Sequence, residues 1–256
     1  MEINLINKVA IVTGAASGVG LATTLCLLES GITGVVAVDL AANMPGEFAS
    51  FVDGPNARLV YVQGDVATDD TVSRFVSAAL ERFGQIDILI NNAGVNIVKP
   101  IHAHSDQDWD WIMNTNVKAI FLAARKVIPV MLKQHRGLIL NIGSISGLVG
   151  LKNQGAYAAS KGAVHQMTRQ MAIEYAANGI RVNTLALGTV DTPVVYSSAK
   201  QTNDPEAFID GLRSQHPLGR IATADEVGKF IVFLSSDHAT FFTGATLSLD
   251  GGFTAQ

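Results

Sequence analysis

Three glycines within seven residues, in Thr13-Gly14-Ala15-Ala16-Ser17-Gly18-Val19-Gly20, separate a β-branched run, Val9 to Val12, from a segment with helical spacing. That segment, Gly18 to Ser30, carries Val19, Ala22, Leu25, Cys26 and Leu28 on its apolar positions and closes on Gly31. Glycine lets the backbone turn sharply and approach another group closely. A helix beginning directly after such a loop offers unpaired N–H groups and the positive end of its dipole to an anion. The chain thus opens as a strand, a phosphate-suited loop and a helix, with a purely structural tight turn as the alternative. The spacing is G-x-x-x-G-x-G, not the commoner G-x-G-x-x-G.

The alternation continues. Val35 to Val38 reads as a second strand ending at Asp39, followed by strands at Leu59 to Val62 and Ile86 to Ile90 with a helix over Thr71 to Phe83 between them. A long helical stretch spans Gln107 to Gln134. Then come a strand at Leu138 to Ile142, a helix at Tyr157 to Tyr175, and strands at Ile180 to Leu187 and Leu247 to Leu249. The strands are nearly all apolar, as a parallel sheet covered on both faces requires. The fold class predicted is α/β: one doubly wound Rossmann-type domain over residues 1–256 with a seven-stranded parallel sheet. No Pro/Ser linker interrupts it. The polar interval from Val194 to His216 breaks the rhythm and is expected to be a substrate lid, since long connections are often functional.

With 48% hydrophobic and 16% charged residues, against a typical charged share of roughly 25%, an ample core is available. A net charge of -4 and no Lys/Arg cluster point away from nucleic acid and membrane surfaces and towards a small-molecule partner. Cys26 is the only cysteine, which excludes an intrachain disulfide and fits a reducing compartment. No basic segment leading into an apolar run opens the chain and no apolar stretch reaches about 18 residues, so a cytoplasmic protein is expected.

Asp39 ends the second strand nineteen positions beyond Gly20, where a carboxylate can hold both adenosine ribose hydroxyls and repel a 2'-phosphate. No Arg or Lys stands at Ala15, Ala16, Ser17 or Leu40, so NAD is favoured over NADP. An Asp acting only as a helix cap is the alternative. Tyr157 and Lys161, four apart at the start of a helix, share one face. They follow a strand with the polar ending Asn141-Ile142-Gly143-Ser144, at the sheet edge where open α/β folds bind ligands.

Taken together, these features resemble the short-chain dehydrogenase/reductase family along nearly the whole chain. The T-G-x-x-x-G-x-G motif is met from Thr13 to Gly20, N-N-A-G by Asn91-Asn92-Ala93-Gly94, and Y-x-x-x-K by Tyr157 and Lys161. Ser144 stands thirteen residues before the tyrosine, Asn116 falls at the family's helix asparagine, and Asp65-Val66 where the adenine ring is usually met. The resemblance implies a catalytic set of Asn116, Ser144, Tyr157 and Lys161. It implies an NAD site of Gly14, Ser17, Gly18, Val19, Gly20, Asp39, Asp65, Val66, Asn92, Ala93, Gly94, Tyr157, Lys161, Gly188, Val190 and Thr192.

A free tyrosine has a pKa of about 10 and must be made more acidic to act as a base near neutrality. A Lys161 ammonium about 4 Å away, at an effective dielectric of about 20, would supply roughly 4 kcal/mol, about three pKa units. The lysine would also bond the nicotinamide ribose, Ser144 the substrate oxygen, and Asn116 a water joining Lys161 to solvent. Two positions depart from the family: Leu187 replaces a proline before Gly188, implying a less rigid bend, and Gly143 replaces a second serine, implying a wider pocket floor.

For substrate contacts the expected set is Asn96, Ser144, Ser146, Asn153, Gln154, Tyr157 and Tyr196, with Lys152 also facing the pocket. Their polarity favours a polyol or sugar. Reversible oxidation of a secondary alcohol is the leading activity. Ketone or 3-oxoacyl reduction is the enzymatic alternative and an NAD-sensing binding module the non-enzymatic one. No metal is expected, since His102 and His104 lack supporting ligands and read as a surface loop. Trp109 and Trp111 read as packing or interface residues, and a homotetramer, implied by the resemblance, could use the apolar end around Phe241, Phe242 and Phe253.

Overall fold

The computed structural model describes residues 3–54, 57–200 and 202–256. It begins with β1 (Val9–Thr13), α1 (Gly18–Glu29), β2 (Gly34–Asp39), the short α2 (Ala49–Val52), β3 (Leu59–Gln63), α3 (Asp69–Phe83) and β4 (Ile88–Asn91). Next are α4 (Asp106–Met113), α5 (Ala119–Gln134), β5 (Gly137–Ile142), α6 (Gly155–Tyr175) and β6 (Ile180–Leu187). The chain ends through β7 (Val190–Asp191), α7 (Pro193–Ala199), α8 (Pro205–Ser214), β8 (Ala222–Thr223), α9 (Ala224–Ser235) and β9 (Thr246–Leu249).

Seven strands form a parallel sheet in the order β3-β2-β1-β4-β5-β6-β9, and β7 pairs with β8 separately. The strand side chains alternate between two cores, as period-2 geometry demands. Ala10, Val12, Val35 and Ala37 face the layer containing α1 and α9, while Ile11, Val36 and Val38 face α3, α5 and α6. Burial on both faces is what selected the apolar runs. The strand order reverses between β1 and β4, and it is outside the carboxyl ends of strands at such a reversal that open α/β sheets bind ligands.

Three elements differ from the sequence expectation. β4 starts at Ile88 because Asp87 is buried and takes over the pairing: its carboxylate accepts from Val9 N at 2.9 Å, Gln85 Nε2 at 2.8 Å and Arg136 Nε at 2.8 Å. The helical stretch over 107–134 is not continuous. A π-helical turn at Asn114–Lys118, where Ala119 N reaches back to Asn114 O, separates α4 from α5 and turns Asn116 inward. The interval 194–216 is not a polar loop but two helices. Pro193 and Pro205 each occupy a first helical turn, and Asp204 caps α8 by accepting from Ala207 N at 3.0 Å.

Cys26 is buried between α1 and α9, and burial with the Asp225 carboxylate pushes its thiol up to about 11, which leaves it unreactive. Among the described residues no helix is long and apolar enough to cross a membrane.

Candidate active site

The glycine loop is shaped by its neighbours. Gly14 and Gly18 adopt φ of 65° and 53°, in the left-handed region. A Cβ on Gly20 would fall on the Gly14 carbonyl and 2.6 Å from Asn92 Nδ2. That amide donates to Thr13 O at 2.9 Å and Gly14 O at 3.0 Å, while Thr13 Oγ1 accepts from Asn92 N and Ala93 N. Asn92 and Ala93 therefore lock the end of β4 to the loop after β1. Ser17 is the N-cap of α1, yet its hydroxyl makes no capping hydrogen bond. The first N–H groups of α1 are therefore left without a side-chain cap, an arrangement suited to a diphosphate. Val19 is partly buried against the core and anchors the helix.

Asp39 lies at the tip of β2, where Oδ2 accepts from Ala16 N at 2.8 Å and Oδ1 from Ala41 N at 2.9 Å. Each oxygen keeps a lone pair, so the carboxylate is held at the edge of the glycine cradle and not spent as a helix cap. Val66 is buried beside β3, whereas Asp65 is exposed and its Oδ1 accepts from Ala67 N at 2.9 Å. Gly94 adjoins the chemistry directly: a Cβ there would lie 3.4 Å from Asn116 Oδ1 and 3.5 Å from Lys161 Nζ.

At the carboxyl end of β5, helix α6 is fastened by groups one turn apart. Asn141 Nδ2 donates to Thr168 Oγ1 at 2.8 Å, Lys161 Nζ donates to Ile142 O at 2.6 Å, and His165 Nε2 lies 3.0 Å from Ser144 O. The Tyr157 phenol meets the Ser144 hydroxyl. Ser144 Oγ also donates to Ser146 Oγ at 3.2 Å and accepts from Ser146 N at 3.1 Å. Ser144, Tyr157 and Lys161 are thus brought together beside Gly94, at the reversal of strand order.

The electrostatics differ from the sequence expectation. Lys161 Nζ lies 5.6 Å from the Tyr157 ring centroid and is occupied with a main-chain carbonyl. Burial raises the phenol above its ordinary value against the opposing pull of Ser144, and burial lowers Lys161 to about 8. The chain alone does not make Tyr157 acidic. Asn116 Oδ1 accepts from Val95 N at 2.8 Å, and Nδ2 donates to Val95 O at 2.9 Å and Ser160 Oγ at 3.0 Å. Its side chain fixes the loop after β4 with both amide protons spent, and Oδ1 keeps one lone pair.

The two family departures are each compensated. A Cβ on Gly143 would lie 2.5 Å from His165 Cε1 and 2.8 Å from Thr184 Oγ1, so the missing side chain makes room for a ring and does not widen the pocket. After Leu187, Gly188 N donates to Leu249 O at 3.1 Å and Thr189 N to His216 Nε2 at 3.1 Å. Hydrogen bonds supply the stiffness a proline would have given. Val190 is buried in β7, and Thr192 caps α7 without a capping bond, its methyl beside Gly18.

The expected substrate residues divide. Ser146 is buried and donates to Gln154 Oε1 at 2.6 Å, so the pair braces Ser144. Asn153 is exposed with φ 63°, and its carbonyl accepts from Lys99 N at 2.8 Å; Lys152 and Asn96 are also exposed. Tyr196 on α7 is 45% exposed, and the Asp191 carboxylate beside its hydroxyl raises its pKa. Sequence reasoning missed His165 and named His216 only as the end of the polar interval from Val194. The one available signal for His165 was its place four residues after Lys161. Phe253 is half-buried, its ring 5.4 Å from that of His216, while Phe241 is fully exposed.

A family model described as enoyl-(acyl carrier protein) reductase matches residues 14–254. The chain is 38% identical to 2-(R)-hydroxypropyl-CoM dehydrogenase of Xanthobacter autotrophicus, over 97% of this chain and 99% of that one. It is 36% identical to 3-oxoacyl-[acyl-carrier-protein] reductase of Thermotoga maritima, over 96% and 97%. Among solved structures it is similar to L-sorbose reductase from Gluconobacter frateurii, complexed with NADPH and L-sorbose, with a TM-score of 0.93 and 29% identity over the full length of both chains.

Proposed function

The chain belongs to the short-chain dehydrogenase/reductase family and is an oxidoreductase acting on CH–OH groups, and from that premise we propose that it oxidises a secondary alcohol reversibly with NAD. The observation that carries this reading is the meeting of Ser144, Tyr157 and Lys161 at the end of β5, beside a glycine cradle edged by Asp39. A small alcohol or carbonyl compound is the partner. Polar groups around the serine turn, and the L-sorbose reductase among structural neighbours, support a polyol or sugar-like substrate.

The residues present fit a nicotinamide dinucleotide. Gly14 and Gly20 let the loop fold tightly onto Asn92 and Ala93, Gly18 and Gly94 keep side chains away from Thr192 and Lys161, and the start of α1 with Ser17 would offer donors to its diphosphate. Asp39, held by Ala16 N and Ala41 N, would accept from the ribose hydroxyls and would repel a 2'-phosphate, which is the support for NAD. Val66, buried after β3, would pack against the adenine, and Val190 and Thr192, at the start of the segment after β6, would hold the carboxamide side. When bound, the cofactor supplies the hydride acceptor and a positive charge on its ring.

Ser144 donates a hydrogen bond to the substrate oxygen and holds it in front of Tyr157. Tyr157 accepts the hydroxyl proton in oxidation and returns it in reduction. Its phenol sits too high to do this in the free chain, so positive charge arriving at the site, together with the Lys161 ammonium, must bring it down. Helices α7 and α8 act as the lid over the substrate. The same reading makes the protein cytoplasmic and a homotetramer. The exposed Trp109, Trp111 and Phe241 support the tetramer, which light scattering tests.

The test is a panel of polyols, sugars, cyclic and acyclic secondary alcohols with NAD+ or NADP+, followed by the absorbance of the reduced cofactor. Turnover with NAD+ on a secondary alcohol is expected. A second reading, reduction of a 3-oxoacyl thioester, is favoured by the Thermotoga maritima relative. Faster turnover of a 3-oxoacyl thioester with NADPH than of any panel alcohol with NAD+ would replace the first reading with the second.

A further inference from the structure

His165 is 2% exposed, one helical turn beyond Lys161 on α6, and takes no part in the chemistry described above. Its ring is enclosed by the turn that carries Ser144. A Cβ on Gly143 would lie 2.5 Å from His165 Cε1, and one on Gly147 would lie 2.5 Å from Cδ2 and 2.7 Å from Nε2. Neither glycine has a positive φ, so the backbone does not require glycine at either position. The packing does: beside the ring, a Cβ on Gly143 would lie 2.9 Å from Leu185 O and one on Gly147 would lie 2.7 Å from the Lys161 main-chain carbon, so any side chain there would displace the ring or the backbone that frames it.

We propose that His165 is a positioning residue of this active site: it holds the main-chain carbonyl of Ser144, and so fixes the serine hydroxyl against the Tyr157 phenol, inside a turn whose two flanking glycines admit its ring. A carbonyl oxygen only accepts, so the His165 Nε2 at 3.0 Å from Ser144 O is the protonated nitrogen of a neutral ring. Its Nδ1 is buried without a partner among the described residues, which leaves the bond to Ser144 as the ring's single polar tether. Burial lowers the imidazole's pKa and keeps the ring neutral. The same helix ties down Ile142 O through Lys161. Acid, base and serine are therefore registered by one rigid element against one strand end. Loss of the His165 tether releases only the serine.

The inference rests on the catalytic reading of Ser144 and Tyr157, and its test separates the two. His165→Leu removes the donor at similar bulk, and His165→Gln offers an amide N–H near the position of Nε2. With the panel alcohol of fastest turnover, His165→Leu is expected to lose about tenfold to a hundredfold in kcat, the order expected when a reacting group shifts by about 1 Å. The Kd for NADH, read by fluorescence, should stay within about twofold, and His165→Gln should recover most of kcat. A kcat for His165→Leu within about twofold of wild type overturns the proposal, as does a glutamine variant no better than leucine. If neither variant folds, the tautomer decides: nitrogen NMR of the wild-type apoprotein should show the Nε2–H form, and an Nδ1–H ring overturns the assignment. An inactive Tyr157→Phe beside a fully active His165→Leu would refute His165 alone. An active Tyr157→Phe would refute the catalytic reading itself.

Discussion

The two walls of the site are built differently. On the β5/α6 side, Asn116, Ser144, Ser146, Lys161 and His165 are all buried, and each is bonded to a neighbouring strand end or turn; Lys161 is 4% exposed. On the side of α7 and α8, proposed above as the lid, Val194 is 66% exposed; among the described residues of 194–216 only Ala199, Ile209 and His216 are buried, and His216 is the one that clasps these helices to the sheet through hydrogen bonds. His216 Nε2 accepts from Thr189 N at 3.1 Å, so Nδ1 carries the proton donated to Leu212 O at 2.8 Å on α8. Reacting groups need fixed geometry, which buried hydrogen bonds provide. A cover that admits substrate needs low local stability, and sparse buried contact provides that. The first wall should therefore govern kcat and the second KM.

The largest effect that could break this contrast is on Tyr157. Tyr157→Phe is expected to lower kcat by about 10³-fold or more while NADH affinity changes by less than about twofold, read by absorbance and fluorescence respectively. Lys161→Met comes next, with a loss of about 10²-fold in kcat. Its pH signature is separate. The folded chain releases the lysine proton at about 8, and an unfolded chain does so only near 10.4. Between those values the unfolded state binds more protons, so the stability of wild type should rise relative to Lys161→Met as pH climbs from 8 towards 10 and stay level below it. Denaturant unfolding across that range checks the sign.

Asp39→Ala should lower kcat/KM for NAD+ by about tenfold to a hundredfold, as loss of charged hydrogen bonds implies, and relax the preference over NADP+. A wild-type preference for NADP+ would overturn the role given to Asp39. The smallest effect is expected at the clasp: His216→Phe should raise KM by roughly fivefold, equivalent to about 1 kcal/mol for two lost hydrogen bonds of about 0.5 kcal/mol each, with kcat nearly unchanged. A larger loss in kcat than in KM there would erase the distinction between the walls.

The sequence made most of this fold legible, because a two-sided parallel sheet writes itself as short apolar runs and a cofactor cradle as closely spaced glycines. Tyr157, Lys161 and Ser144 could be placed for the same reason, by spacing relative to a strand end. What escaped depended on contacts between distant segments. Nothing local in Asn114-Thr115-Asn116 marks a π turn, and Gly143 seemed to widen a pocket until Gly147 and His165 closed around the same space. Helices α7 and α8 did have local signals, Thr192-Pro193 and Asp204-Pro205, hidden within a polar stretch between strands. Lys161 could be named as a partner of Tyr157, but its commitment to Ile142 O could not.

That commitment makes the acidity of Tyr157 the point on which the account turns. The direct measurement is the ultraviolet absorbance of the Tyr157 phenolate, taken as wild type minus Tyr157→Phe across pH, without and with saturating NAD+. In the free protein the phenol should ionise above the ordinary tyrosine value, and NAD+ should bring it clearly below. An ionisation unmoved by NAD+ would contradict Tyr157 as the base.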